Sequence, residues 1–526
     1  MGENLSNKPT EDVSRTKKSP SQEKGRQRIS VIGGGINGMI AAHYLARAGN
    51  DVTLFERSPT VGGACVERQV ELGGQSYGYP GGASVFGFMQ DFVYRQTGLK
   101  KRMKGRTYVP SKETGMIIAD RPQLGMMSSD KDFRTKAGET GNIDDFHSDE
   151  AKVVAFLQKT FRAGIVPTFA LARKELGQEL TKRWIDGTGR ELVDHYFTSD
   201  PRKMMTLLPI NESGPTSIDA PQSAFTIPLM HSGNALGGEW GFVRGGLHTL
   251  LGELNILNEE VGVNTLTSTA VCHVDPQTGD VTFQHEGKKE EIQPSDLVIF
   301  ATEPLSAARL IDDKHLIKSI NKKRLLGTAG KLVAFFKKPF TWKQGDKNPA
   351  MFRTIFASNS VQDFENRSQR IVNDGIPYSP NYFELYPEGA ADRLMGANRG
   401  HDILSVYFQS LGIDKSGAEM TEVQNDVLRQ VLSHIGDDRE FIGSILLSPK
   451  DLQRDFGFAQ GNIDHIDIGP GQTFFARGYS ADRKHSFFQF GDHERILYCG
   501  AGTYPCGSIA GTAGYMCAKQ AIEKRE

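Results

Sequence analysis

A glycine-rich turn between two β-rich stretches is the feature that most constrains the fold of this 526-residue chain. Residues 29–32 are β-rich and run into Gly33, Gly35 and Gly38, which have G-x-G-x-x-G spacing. Apolar residues at helical spacing follow, and a second β-rich stretch covers residues 51–56. A strand, a glycine turn, a helix and a strand within about thirty residues form a βαβ unit. The pattern predicts an α/β fold with a parallel, doubly wound sheet.

Each residue of this turn has a separate role in binding a dinucleotide. Gly33 allows a tight turn, Gly35 lets a pyrophosphate approach the backbone, and Gly38 allows close packing of helix on strand. The helix then begins at Ile36 and Asn37, whose free N–H groups carry partial positive charge. Such a charge stabilises a phosphate by roughly 0.3 to 2 kcal/mol. We therefore expect these five residues to bind the cofactor.

Glu56 ends the second strand, where its carboxylate can accept hydrogen bonds from both hydroxyls of an adenosine ribose. It would repel a phosphate on that ribose, which disfavours NADP, although Arg57 next to it weakens the argument. Both residues are expected at the adenosine end of the site. The βαβ unit alone does not separate NAD from FAD.

Two further features favour FAD. Gly62 and Gly63 form a second glycine pair, which lets a loop pass close over the same pyrophosphate. Val271 lies in a stretch of alternating polarity typical of a strand, and we expect it to bracket the adenine.

A third glycine-rich turn, GAGTYPCGSIAG at residues 500–511, leads into the last helix of the chain. We expect Gly502, Thr503 and Ile509 to contact the cofactor, since the positive end of that helix can face the flavin pyrimidine. Glycine turns at the start and the end of the chain fit one long ligand better than a nicotinamide. The predicted cofactor is FAD.

These motifs together resemble the phytoene desaturase-like family of FAD-dependent oxidoreductases, which includes carotenoid desaturases, carotene isomerases and retinol saturase. The residues that carry the resemblance are 500–511, the aromatic-x-x-R-G-G turn at 241–247, and the stretch 456–465. It extends over residues 30–520. Cys506 stands where a glycine is usual, and Ala64 where many relatives carry arginine.

The resemblance implies an amine-oxidase-like architecture, in which a Rossmann-type FAD-binding domain is interleaved with a mixed α+β substrate domain. After a disordered tail at residues 1–27, we expect the segments to alternate along the chain. The FAD-binding segments are 28–120, 239–328 and 491–526, and the substrate-domain segments are 121–238 and 329–490.

Lys331 and His465 are the candidate catalytic residues. Lys331 resembles the lysine of flavin amine oxidases that holds a water against flavin N5; the alternative is a surface lysine at the start of a strand. His465 lies between Asp464 and Asp467, so a carboxylate could orient a buried ring for acid or base catalysis. The alternative is a solvated histidine in a turn.

Arg244 and Tyr504 are the candidate substrate contacts. Arg244 precedes a glycine pair and could hold a polar head group or form a structural ion pair instead. Tyr504 could line the flavin ring or serve only in packing. Cys506 is close enough to the expected ring to raise covalent attachment of the flavin, but the family usually binds FAD without a covalent bond.

Composition excludes several classes of protein. The 62 basic and 63 acidic side chains give a net charge of -1, which argues against nucleic acid as a partner. Five scattered cysteines without a C-x-x-C pair predict neither a disulfide framework nor a zinc site, so no metal is expected and a reducing compartment is favoured. No apolar stretch is long enough to span a membrane. We expect a cytoplasmic protein, with a mitochondrial location as the alternative.

The sequence predicts an FAD-dependent oxidoreductase or desaturase. It would remove hydride, through flavin N5, from a hydrophobic small molecule of carotenoid or retinoid type, or from an amine-bearing one. An apolar substrate would also allow peripheral contact with a membrane. The electron acceptor is left open. The alternatives are a polyene isomerase that depends on reduced flavin, and a flavin-binding regulatory protein without turnover, to which the departures at Ala64 and Cys506 give slight support.

Overall fold

The computed structural model describes residues 25–524 apart from 111–113, 213, 324–325, 346–347, 375–377, 379, 414 and 416. Nearly all of the predicted disordered tail, residues 1–27, lies outside the described residues. The strands are β1 Arg28–Ile32, β2 Asp51–Phe55, β3 Glu67–Leu72, β4 Gln75–Pro80, β5 Thr107–Tyr108, β6 Gly115–Ile118, β7 Phe242–Val243, β8 Asn264–Leu266, β9 Thr269–Val274, β10 Val281–His285, β11 Glu290–Gln293, β12 Leu297–Phe300, β13 Gly330–Phe336, β14 Arg353–Phe356, β15 Tyr382–Tyr386, β16 Asp402–Phe408, β17 Phe441–Leu447, β18 Gln489–Phe490 and β19 His493–Tyr498.

The α-helices differ widely in length and several are a single turn. They are α1 Ile36–Arg47, α2 Asp91–Gln96, α3 Leu99–Arg102, α4 Asp130–Lys136, α5 Ile143–Ala163, α6 Phe169–Leu176, α7 Gln178–Thr181, α8 Gly189–Tyr196, α9 Asp200–Glu212, α10 Thr226–Met230, α11 Leu247–Glu260, α12 Pro304–Leu310, α13 Lys314–Asn321, α14 Val361–Asp374, α15 Glu388–Leu394, α16 Gly417–Leu432, α17 Pro449–Phe456 and α18 Thr512–Glu523.

Sheet 1 is assembled from the start, the middle and the end of the chain. Its strand order is β18-β19-β12-β1-β2-β8, and β1 runs parallel to both β2 and β12. The inner strands are short and contain β-branched residues. They are buried because helices cover both faces of such a parallel sheet. Beside it lies a small antiparallel sheet of β9, β10 and β11.

Sheet 2 has the order β17-β13-β16-β15-β14-β6 and is mostly antiparallel. One of its faces packs on α16 through Val423, Val427 and Val431, which recur every four residues along that helix. Since side chains alternate along a strand, Leu332 and Phe336 of β13 face α16. The intervening residues face the opposite side, towards sheet 1 and its loops.

A mostly helical insertion, α4 to α10, joins the chain between β6 and β7. Its core is aromatic: Trp184 is fully buried, and its ring lies 5.1 Å from the ring of Phe146. The same core continues into α1 and α18 of the first domain. The insertion is therefore packed against the Rossmann-type domain and not detached from it.

The predicted fold class is confirmed: a Rossmann-type α/β domain is interleaved with a mixed α+β domain. We propose the division into segments given above with one adjustment. The strand β6 falls within the segment predicted for the cofactor domain, 28–120, but it pairs in parallel with β14 of sheet 2. The first boundary therefore belongs before residue 115.

Within the described part of the chain, no helix combines the length and the apolar character needed to cross a membrane.

Candidate functional site

The glycine turn at the start of α1 leaves no room for side chains. A Cβ atom on Gly38 would lie 2.0 Å from the carbonyl oxygen of Gly33, and Gly33 itself has a φ of 111°. Both positions therefore require glycine. The turn brings the first residues of α1 against the end of β1, as the G-x-G-x-x-G spacing predicts.

The N-terminus of α1 is open to an anionic ligand. Its N-cap, Gly35, makes no side-chain capping bond, and the first turn carries no acidic residue. A Cβ atom on Gly35 would meet nothing closer than the Cα of Gly63, at 4.0 Å. The buried side-chain oxygen of Asn37 has no hydrogen-bond partner among the described residues. Buried polar groups are rarely left unpaired, so these features fit a phosphate-bearing ligand.

A second loop passes directly over this helix start. The N–H of Gly62 donates to the carbonyl of Gly34 at 2.8 Å, and Gly63 has a φ of 57°. A Cβ atom on Gly63 would lie 3.2 Å from the Cα of Gly35. The second glycine pair thus approaches the first, as close passage over a pyrophosphate requires.

Glu56 is buried at the end of β2 with its carboxylate held in place. Its Oε2 accepts from the N–H of Gly34 and its Oε1 from the N–H of Ser58, each at 2.8 Å. A carboxylate has lone pairs for further donors, so both oxygens can still accept ribose hydroxyls. Arg57 points into solvent. The N–H of Thr269 donates to the carbonyl of Glu56 at 2.9 Å, which brings β9, with half-buried Val271, to the same edge.

The C-terminal turn brings a second helix N-terminus to the first. The helix α18 begins after Gly511, whose φ is 65°, without a capping side chain or an acid in its first turn. A Cβ atom on Gly514 would lie 2.1 Å from the carbonyl oxygen of Asn37 in α1. The two uncapped helix starts, from opposite ends of the chain, therefore meet in one place. Their positive ends can serve one extended anion.

Arg477 stabilises the C-terminal turn through hydrogen bonds, and sequence reasoning did not identify it. It is 1% exposed, and its guanidinium donates to the carbonyls of Thr503 and Ala501, at 3.3 and 3.2 Å, and of Asp467 at 3.0 Å. The only sequence signal was an arginine within an aromatic stretch, with no motif around it. Arg477 bonds to backbone atoms of residues that are distant in the sequence. The identities of those residues therefore do not indicate a contact with an arginine.

The remaining residues of the C-terminal turn divide between contacts and packing. The carbonyl of Gly502 accepts from the hydroxyl of Tyr479 at 2.8 Å, and Thr503 is buried against Arg477. Ile509 is half-buried with a φ of 59°. Tyr504 is fully buried, and its ring packs 5.8 Å from that of Phe161. Its surroundings are those of a core residue and favour the packing interpretation.

Lys331 lies in the interior and not at the surface. It is 3% exposed, and its Nζ donates to the carbonyls of Pro80 and Gly82 at 2.8 and 3.0 Å. Pro80 is the last residue of β4, and Gly82 lies in the turn that follows this strand. Burial lowers the pKa of Lys331 to about 8, although the nearby carboxylate of Glu388 raises it. An amine with a pKa near neutrality can hold or release a proton.

The sequence suggested that a neighbouring carboxylate orients the ring of a buried His465. The residue is buried, but the carboxylate of Asp464 does not bond to its ring. Oδ1 of Asp464 instead accepts from the N–H of Gly507 at 2.9 Å, and Oδ1 of Asp467 accepts from Asn462 at 2.6 Å. Nδ1 of His465 has no partner among the described residues. Burial lowers the pKa of His465 to about 4, so its ring is neutral at physiological pH.

Arg244 is not brought into this group. Its side chain is exposed and donates to the carbonyl of Gly396 at 3.1 Å. The contact ties the turn after β7 to the end of α15, as expected for the structural alternative to a substrate contact. Cys506 is fully buried, and burial raises the pKa of its thiol.

Known proteins match this chain at both levels, sequence and fold. A family model described as an NAD(P)-binding Rossmann-like domain matches residues 31–92. The chain is 24% identical over 548 residues to the pyridine nucleotide-disulfide oxidoreductase domain-containing protein 2 of Rattus norvegicus, covering 92% of this chain and 91% of that protein. It is 20% identical over 510 residues to a 4,4'-diapophytoene desaturase of Staphylococcus aureus, covering 92% and 95%.

Among solved structures, the cyclohexylamine oxidase of Brevibacterium oxydans matches with a TM-score of 0.56 and 13% identity, over 95% of this chain and 99% of that one. At this identity the match shows a shared fold. The predicted resemblance to the phytoene desaturase-like family is confirmed by relatives that align over almost the whole chain. The amine-oxidase-like architecture is confirmed as well. The motifs also resemble the branch of that family to which the rat protein belongs.

Proposed function

We propose that this protein is an FAD-dependent oxidoreductase that takes hydride from a small organic substrate. The observation that carries the proposal is the meeting of two uncapped helix N-termini, from α1 and α18, at the contact between Gly514 and Asn37. A ligand that needs both helix ends must be long and anionic. The glycine pair at Gly62 and the carboxylate of Glu56 are suited to its pyrophosphate and its ribose.

When bound, FAD supplies a hydride acceptor at its N5 atom. The chain supplies position and proton control. Lys331 is held by the carbonyls of Pro80 and Gly82, with its ammonium in the interior. Its pKa of about 8 lets Nζ hold a proton or a water, and release a proton, near physiological pH. Lys331 is 3% exposed, so bulk water has little access to its Nζ.

The names of the relatives support two substrate classes. The staphylococcal relative is a desaturase of a polyene precursor, and the fold is shared with an amine oxidase. The proposed substrates therefore include both hydrophobic polyenes and amines. The electron acceptor would be oxygen, a quinone or another carrier, and the scattered cysteines favour a cytoplasmic or mitochondrial location.

The experiment is anaerobic mixing of the FAD-loaded protein with polyenes and amines, followed by the visible absorption of the flavin. Loss of that absorption with at least one class supports an oxidoreductase. Conversion of a polyene isomer only after prior reduction of the flavin would show the isomerase instead. A protein that binds FAD and reacts with neither class, with or without reductant, would contradict turnover.

Lys331→Met tests the role of the lysine, with Lys337→Met, an exposed lysine in the segment after the same strand, as the matched control. We expect slower flavin reduction or reoxidation in Lys331→Met only. Unchanged rates in both variants would remove Lys331 from the mechanism.

A further inference from the structure

A row of polar side chains crosses sheet 2 beside Lys331. Lys331 of β13 is paired in register with Tyr407 of β16, and Tyr407 is paired with Glu384 of β15. Directly paired residues project from the same face of a sheet. The three side chains therefore share the face opposite α16. Glu384 lies two strand spacings, about 10 Å, from Lys331.

Glu384 presents an unsatisfied oxygen to this face. It is 8% exposed; its Oε2 accepts from the hydroxyl of Tyr386, while its Oε1 is buried and has no hydrogen-bond partner among the described residues. Tyr382 is fully buried, lies two residues earlier on the same strand face, and has a hydroxyl that is likewise unpartnered among those residues. Two polar atoms, Oε1 of Glu384 and the hydroxyl oxygen of Tyr382, thus lie in one region without a hydrogen-bond partner among the described residues.

A second carboxyl comes from the insertion. Glu212 is the last residue of α9, and its backbone carbonyl accepts from the hydroxyl of Tyr407 and from the side-chain amide of Gln409. These bonds fix the end of α9 over the row. Burial and the neighbouring Glu384 raise the pKa of Glu212 to about 8, and burial raises the pKa of Glu384 to about 7.

This arrangement brings together two carboxyls that repel each other. Two carboxyls share a desolvated region, and one of them stands at a helix C-terminus, where the dipole disfavours negative charge. The other ionisable groups that act on Glu212 are Asp464, which adds repulsion, and His231, whose Nδ1 is bonded to Glu150 at 2.8 Å. Departures from local stability rules of this kind are expected at functional sites.

We propose that Glu212 and Glu384, with the hydroxyls of Tyr382 and Tyr407, bind the positively charged ammonium group of an amine-bearing substrate. The inference rests on the proposed function, because it places this subsite on the sheet face that carries Lys331. An ammonium group has three donors, which match the carboxyl and hydroxyl oxygens of the cluster. A polyene hydrocarbon offers none of them and would leave the carboxyls unpaired. The subsite therefore selects amines over polyenes.

Proton balance gives the proposal a second consequence. Because both pKa values are raised, the two carboxyls retain part of their protons near neutral pH, and a proton must leave when an ammonium cation takes its place. Binding of the cation should release a proton to the buffer. Affinity should also rise with pH through the range of about 7 to 8 in which the carboxyls ionise.

The test uses the FAD-loaded protein and two probes of equal length, n-hexylamine and 1-hexanol, with binding measured by calorimetry. We expect hexylammonium to bind at least about tenfold more tightly than hexanol. Glu384→Gln should reduce the affinity for the amine at least about tenfold and leave that for the alcohol unchanged. Glu365→Gln is the matched control, because Glu365 is a buried carboxyl already bonded to Ser217 and to the N–H of Ile218.

The wild-type protein supplies a measurement that does not depend on any variant folding. Calorimetry in two buffers of different ionisation enthalpy should show release of a proton with hexylamine and none with hexanol. Equal affinity for the two probes, or amine binding without proton release, would overturn the inference. A protein that is yellow, and whose flavin is reduced by dithionite, would still agree with the proposed cofactor chemistry even if it failed these tests. A colourless protein would contradict the proposed function itself.

Discussion

Replacement of Gly38 by alanine tests the geometry of the cofactor turn at its tightest point. The added Cβ would lie 2.0 Å from the carbonyl oxygen of Gly33 and 3.0 Å from the side chain of Ala301. A normal contact needs more than 3.0 Å, so the turn and the start of α1 must separate by about 1 Å or more. The φ of Gly38 is not in the left-handed region. The expected effect is therefore steric and owes nothing to backbone strain.

Two opposing terms set the size of the effect. Alanine is favoured over glycine inside a helix by about 1 kcal/mol. Overpacking costs typically 1 to 3 kcal/mol, and the 2.0 Å approach to a backbone oxygen, which cannot rotate away, places this site in the upper part of that range, at about 2 to 3 kcal/mol. We expect a net loss of about 1 to 2 kcal/mol in the free energy of unfolding. Weaker retention of FAD should accompany it, because the same displacement moves the phosphate-binding N–H groups.

Gly252→Ala is the matched control, because Gly252 is inside α11 and a Cβ there would meet no atom within 4 Å. That variant should be as stable as the wild type or more stable by up to about 1 kcal/mol. Urea unfolding followed by protein fluorescence, together with the flavin content after gel filtration, measures both effects. A Gly38→Ala protein that unfolds at the wild-type urea concentration and retains its flavin would refute the steric argument.

Three further predictions concern charged residues. Arg477→Met should cost at least about 2 kcal/mol of stability in thermal or urea unfolding, since it leaves several buried carbonyls unpaired, whereas Arg429→Met, at an exposed arginine, should cost little. Burial lowers the pKa of Lys331 from 10.5 to about 8. Between those pH values the unfolded chain binds more protons than the folded one, so stability rises with pH by up to about 1.4 kcal/mol per pH unit. Lys331→Met should flatten that slope in a pH series of unfolding curves, and an unchanged slope would contradict the assignment. Glu56→Gln should weaken FAD binding about tenfold in a titration of the apoprotein, and no loss relative to the exposed-site control Glu71→Gln would exclude the ribose contact.

The cofactor turn was predictable because its chemistry is local. Gly33, Gly35 and Gly38 act on residues within a few positions of themselves, and the flanking strands and helix carry their own periodicity. Gly62 is close enough in sequence to be assigned to the same turn. The parallel α/β part of the fold followed from these elements. The interleaved second domain was expected from the family resemblance, which the glycine turn before α18 helps to carry.

The polar row on sheet 2 was not predictable in the same way. Lys331, Tyr407 and Glu384 come together only through the register of β13, β16 and β15, which are separated by long and variable connections. The position of Glu212 depends in turn on how the helical insertion packs. For Arg244 the motif identified the turn but left two roles open, and the exposed side chain donates to the carbonyl of Gly396, as in the structural alternative.

The most direct test of the account is the identity of the cofactor that copurifies with the chain. The protein is denatured, the released small molecules are separated, and they are identified by mass spectrometry and counted against the protein concentration. The account predicts FAD at close to one molecule per chain. A folded protein that releases only a nicotinamide dinucleotide, or that neither releases nor takes up FAD, would contradict the claim that both ends of the chain bind one flavin cofactor.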